Sequence, residues 1–189
     1  MPSRAPAMEA FLASVAGGLT QIYYATALYG TTDSGGTVSP SCPSSGCGVV
    51  YELTPPPAFG DPWSQTVIYS FKGGADGDQP STLLLGDGGT LYGVTAGGRV
   101  CPNSLAQGCG TLFQLTPPAT PGNPWTKTIL HAFKGGGDGW TPYGLALDQS
   151  GVLYGTTLNG GDSGFGTVYQ LTRGAGTLPA AASQAARAR

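Results

Sequence analysis

The tripeptide Leu-Tyr-Gly occurs three times, at Leu28-Tyr29-Gly30, Leu91-Tyr92-Gly93 and Leu153-Tyr154-Gly155, and each occurrence leads into a similar string of residues. Offsets of 63 and then 62 residues mark a tandem repeat, which reduces the fold problem to one supersecondary unit and the stacking of its copies. The register between copies is tight. From Trp63 to Tyr92 the chain aligns without a gap to Trp125 through Tyr154, pairing Phe71-Lys72-Gly73-Gly74 with Phe133-Lys134-Gly135-Gly136 and Pro80 with Pro142. A second shared block runs Gly48-Val49-Val50-Tyr51-Glu52-Leu53-Thr54, Gly110-Thr111-Leu112-Phe113-Gln114-Leu115-Thr116 and Gly166-Thr167-Val168-Tyr169-Gln170-Leu171-Thr172.

These blocks are short, rich in Val, Thr, Tyr, Leu and Phe, and bounded by Gly, Pro and Asp, which is the pattern of strands separated by turns. No segment keeps a helical period beyond about two turns. In the middle copy the expected strands are Thr90 to Thr95, Thr111 to Thr116, Thr126 to Phe133 and Tyr143 to Asp148. Asp87-Gly88-Gly89 and Asp148-Gln149-Ser150-Gly151 read as hairpin turns, and Pro117-Pro118 cannot donate into a ladder. Four antiparallel strands per unit of this length predict an all-β, propeller-like fold. Gly30, Gly93 and Gly155 are expected where another backbone approaches a strand closely, as on a propeller axis.

The combined pattern of Leu-Tyr-Gly-Thr-Thr, Gly-Gly, Gly-Thr-Val-Tyr-x-Leu-Thr, Trp and Phe-Lys-Gly-Gly-x-Asp-Gly resembles the GloVer tandem repeat over about residues 27 to 172. That resemblance implies a repetitive, exported, propeller-like bacterial surface protein. It implies no catalytic residues.

The expected organisation is a divergent segment at 1–26 with one strand near Leu19 to Tyr24, repeat 1 at 27–89, repeat 2 at 90–151, a partial repeat 3 at 152–172, and a disordered Ala/Arg-rich tail at 173–189. Counted as blades this is an open or incomplete ring of about three, whereas closed propellers need about 4 to 8. Uncovered apolar faces at its ends predict homo-oligomers.

Cys42 and Cys47 lie in one loop of repeat 1, Cys101 and Cys109 in the same loop of repeat 2, and repeat 3 has neither pair. Cysteines that come and go as pairs predict disulfides within each loop, Cys42–Cys47 and Cys101–Cys109, and hence a location outside the cytosol. A four-thiolate zinc site is the competing reading, but C-x4-C and C-x7-C are not tight knuckle spacings. Met1 to Ala16 makes no clear signal peptide, with Glu9 interrupting a short apolar stretch. No run approaches the roughly 18 apolar residues of a membrane span.

A formal net charge of −2 and 10% charged residues supply no field for nucleic acid or an anionic membrane. His131, the sole histidine, stands where repeat 1 has Tyr69 and reads as a packed strand residue. Glu52 matches Gln114 and Gln170, and a glycosidase needs a second carboxyl facing the first. Asp76 and Asp138 sit in Gly-rich loops that fit turns better than calcium sites, which want about 6 to 8 oxygens. Lys72 and Lys134 read as solvated strand ends.

Trp140 replaces Asp78 of repeat 1, and Tyr143 follows three residues later on a polar loop, a pair able to stack on a sugar or anchor a protein partner. Trp63 and Trp125 recur at equivalent sites and read as structural. The sequence therefore predicts a non-catalytic extracellular binding or surface-display module, with no cofactor and no metal. The alternatives are a polysaccharide-active hydrolase or lyase, by fold analogy alone, and a purely structural, self-assembling repeat.

Overall fold

The computed structural model describes residues 22–24 (backbone only), 27–42, 45–58, 60–98, 101 and 108–172. Most of the expected N-terminal segment and the whole 173–189 tail lie outside the described residues. Eleven strands are present among the described residues: β1 (Ile22–Tyr24), β2 (Ala27–Thr32), β3 (Val49–Thr54), β4 (Ser64–Ser70), β5 (Asp78–Leu85), β6 (Leu91–Gly97), β7 (Thr111–Thr116), β8 (Thr126–Ala132), β9 (Trp140–Leu147), β10 (Leu153–Asn159) and β11 (Val168–Leu171). They form three antiparallel meanders, β1-β2-β3-β4, β5-β6-β7-β8 and β9-β10-β11.

The sheets are out of phase with the sequence units. Each of the second and third sheets takes its first strand from the end of one unit and its remaining strands from the next. The phase is set by the Phe-Lys-Gly-Gly-x-Asp-Gly turn, which carries the chain from β4 to β5 and from β8 to β9 instead of letting those strands pair. The strand expected to begin at Tyr143 begins at Trp140 and runs through Pro142. Pro142 and Pro80 are tolerated because β9 and β5 are edge strands and both ladders shift register beside the proline.

β2 packs beside β5 and β6 beside β9, while β5 approaches both β1 and β9, the first strands of the other two sheets. Two cores fill the spaces between sheets. Val50, Phe71, Leu83, Leu91, Phe113 and Leu115 lie between the first and second, with Phe71 and Phe113 edge-to-face at 5.2 Å. Tyr92, Val94, Leu112, Phe133, Leu153 and Tyr169 lie between the second and third, with Phe133 and Tyr169 edge-to-face at 5.1 Å. Covered on both faces, β6 is buried nearly throughout, whereas β10 alternates buried and exposed residues.

The Leu-Tyr-Gly glycines have a different cause from the expected one. They lie on the second strand of each sheet, opposite an aromatic residue of the third: Gly30 opposite Tyr51, Gly93 opposite Phe113, Gly155 opposite Tyr169. Each ring lies across its glycine, so that a Cβ on residue 93 would meet Phe113 Cε1 at 2.9 Å. The close neighbour of Gly30 and Gly93 is thus a side chain of the same sheet, not a converging backbone.

Candidate functional site

The turn after β4 is built by one carboxylate. Asp76 Oδ2 accepts the Lys72 amide at 2.8 Å, and the Gly73 amide donates to the Gly77 carbonyl at 3.1 Å. Gly73 holds a φ of 73° and leaves room for a disulfide, since a Cβ there would lie 2.9 Å from Cys47 Sγ. The turn after β8 repeats this, with Asp138 Oδ2 accepting the Lys134 amide at 2.9 Å and Gly135 beneath Cys101 Sγ. Cys42 is bonded to Cys47, and Cys101 to Cys109. The carbonyls of Cys47 and Cys109 accept the amides of Gln79 (3.0 Å) and Thr141 (3.2 Å), so each disulfide loop is tied to the first strand of the next sheet. Gln79 and Thr141 have φ of 53° and 55°, a left-handed conformation rare for such residues.

Beside the first turn lies a buried cation. Lys127, on β8, has a side chain only 4% exposed, and its Nζ donates to Asp76 Oδ1 at 2.8 Å and to the Asp76 carbonyl. The ammonium stands over the rings of Phe71 (4.5 Å), Tyr69 (5.2 Å) and Phe113 (5.5 Å). Tyr69 Oη donates to the same Asp76 oxygen at 2.8 Å. Burial lowers the Lys127 pKa and the bond and charge of Asp76 raise it, the balance falling below the ordinary value. Burial, helped by Asp76, pushes the Tyr69 phenol up. A desolvated cation over three aromatic faces is a strong local contact. It locks the outer strand of the second sheet to the turn that follows the first.

The corresponding place beside the second turn holds His131 for Tyr69, Phe133 for Phe71, Tyr169 for Phe113 and Asp138 for Asp76. His131 Nε2 lies 3.0 Å from both Asp138 oxygens and its ring meets Phe133 at 4.8 Å. Tyr169 is buried, and its hydroxyl has no hydrogen-bond partner among the described residues. The position of Lys127 belongs to a fourth strand, and none follows β11 among the described residues.

The model of the Gloeobacter/Verrucomicrobia repeat matches residues 13–186. The chain belongs to that family. Among curated proteins none matches.

Against the geometry of this Gloeobacter/Verrucomicrobia repeat, the sequence-predicted residues separate. Trp140 opens β9 and packs against the core between the second and third sheets, while Tyr143 is exposed farther along the same strand. Trp125 meets Tyr29 of the first sheet edge-to-face at 6.1 Å, whereas its repeat mate Trp63 is 41% exposed. Glu52 accepts the Tyr29 hydroxyl at 3.1 Å; burial and then the Glu52 charge push that phenol up to about 12. No cluster of three or more His, Cys, Asp or Glu able to hold a metal occurs among the described residues. No helix among them is long and apolar enough to cross a membrane.

Sequence reasoning missed Lys127 altogether. Its repeat mate is Gln65, so the lysine belongs to no motif shared between copies. The available signal was that it is the single lysine inside an expected strand, flanked by Thr126 and Thr128.

The outer face of the third sheet was foreseen only as an open end. Tyr154, Leu158 and Val168 are exposed there, and Phe165 in the preceding loop is 92% exposed. In the second sheet the mates of Tyr154 and Val168 are Tyr92 and Leu112, both fully buried.

Proposed function

We propose that this chain is a non-catalytic extracellular repeat module for binding or surface display, whose sheets stack in a propeller-like arc. The carrying observation is the contrast between repeat mates. Tyr92 and Leu112 are 0% exposed beneath the third sheet, whereas Tyr154 and Val168 are 37% and 42% exposed on its far side. A face that is core in one copy and surface in the next is a stacking surface, and its natural occupant is another copy of the repeat. The approach of β5 to both β1 and β9 supports first strands gathered on one side of the stack, as blades about a common axis would have them. Two disulfides tying loops to neighbouring sheets support an oxidising location. In this reading Tyr143 is the residue offered to a glycan or protein ligand, with Trp140 holding β9 in place beneath it.

The test is sedimentation velocity and light scattering over a range of concentrations. The parent chain is expected to self-associate, and a Leu158→Thr/Val168→Thr variant with an unchanged melting transition is expected to run smaller. A parent that stays monomeric at every concentration refutes the stacking surface.

A further inference from the structure

The two turn sites differ in one respect that bears on partners. In the first, β8 delivers Lys127 to Asp76. In the second, β11 has β10 on one side and no further strand on the other among the described residues, and the partner of Asp138 is His131. The walls of the lysine site are nonetheless present: Phe133 and Tyr169 are buried edge-to-face as Phe71 and Phe113 are, and Asp138 takes the turn amide as Asp76 does. Aromatic walls and a carboxylate complement an ammonium group.

We propose that the edge of β11 accepts an added β-strand whose lysine enters the site of His131, Phe133, Asp138 and Tyr169, the donor being the fourth strand of another repeat of this family. This rests on the stacking-module reading and names the segment that would be recognised. Strand addition supplies affinity through main-chain hydrogen bonds, and the side-chain site supplies specificity. Register follows from the second sheet, where Lys127 stands opposite Leu115; the incoming lysine stands opposite Leu171. The three lysines here are Lys72 and Lys134, each at the start of a turn, and Lys127, already buried against Asp76, and residues 173–189 contain neither Lys nor an aromatic residue.

The experiment uses a synthetic peptide with the sequence of residues 124–133, titrated into the full chain and followed by calorimetry and by the His131 ring signals in NMR. Saturable binding with one peptide per chain and a shifted His131 ring is expected. Replacing the peptide lysine by Met is expected to weaken binding about tenfold or more, the scale of a charge-assisted hydrogen bond. Asp138→Asn in the chain should weaken it comparably and remove the preference for Lys over Met, while Asp76→Asn should leave that preference intact. His131→Tyr, which rebuilds the first site's arrangement, should retain binding and keeps the test open if Asp138→Asn fails to fold. Absence of saturable binding, indifference to the lysine, or binding only after residues 173–189 are removed would each overturn the proposal. Loss of self-association in the Leu158→Thr/Val168→Thr variant with peptide binding unchanged would separate the open face from this edge.

Discussion

Gly93 and Phe113 stand opposite each other on β6 and β7, and the Phe113 ring lies where a side chain on residue 93 would have to go. The same pairing holds Gly30 to Tyr51 and Gly155 to Tyr169, so each sheet carries one glycine covered by one cross-strand ring. The ring buries the strand that glycine would otherwise leave without a packing partner.

Gly93→Ala is accordingly expected to destabilise the chain by about 1 to 3 kcal/mol, the range for overpacking a filled core. Phe113→Ala removes a fully buried ring and should cost about 3 to 5 kcal/mol. Together the two changes should cost less than their sum, because the clash disappears with the ring. Urea denaturation of all four proteins measures this; strict additivity would show that the ring and the glycine are not coupled.

The Lys127–Asp76 pair is predicted to be asymmetric. Asp76→Asn strands a buried ammonium and is expected to cost about 3 to 5 kcal/mol. Lys127→Met should cost less, since the methionine chain fits the aromatic walls while Asp76 keeps its bonds from Tyr69 and the Lys72 amide. Equal losses in thermal or denaturant unfolding would mean that the cation adds as much as its burial requires the acid to offset.

Each disulfide closes a short loop, of sequence separation 5 and 8, and should contribute about 2 to 2.5 kcal/mol in the chain-entropy description. Mass analysis of non-reduced, protease-digested protein should find Cys42 joined to Cys47 and Cys101 to Cys109. A Cys101→Ser/Cys109→Ser variant should also loosen β9, because the Cys109 carbonyl holds the Thr141 amide. Faster hydrogen exchange at Thr141 reports this, and exchange unchanged from the parent would deny the coupling.

Acid stability should depend on Asp138. Burial raises its carboxyl, but the hydrogen bond and charge of His131 and the Lys134 amide outweigh that and hold it below the ordinary 3.8. A carboxyl that is more acidic folded than unfolded contributes stability above its ordinary value, and that contribution is lost as pH falls through the folded value. Below about pH 4, Asp138→Asn should therefore flatten the fall of stability with pH. An acid limb of unchanged slope in the variant would contradict the bond to His131.

What the sequence determined alone was local: that these segments are strands, which turns separate them, and that the motifs recur, though not that β9 begins at Trp140. Val, Thr and aromatic runs favour the pleated chain, and Asp-Gly and Pro-Pro segments exclude it, whatever lies nearby. The family followed from those same motifs, because they recur at a fixed spacing along the chain. The phase of the sheets was not local. A repeat written around Leu-Tyr-Gly does not say whether Asp78–Leu85 pairs with the strand before it or the one after; the turn at Gly73–Gly77, seated on the Cys42–Cys47 loop, sends it forward. The same holds for the candidate site. Lys127 and Asp76 are 51 residues apart, and what makes the lysine a buried cation is the loss of water around it, which arises only when two sheets close over its side chain.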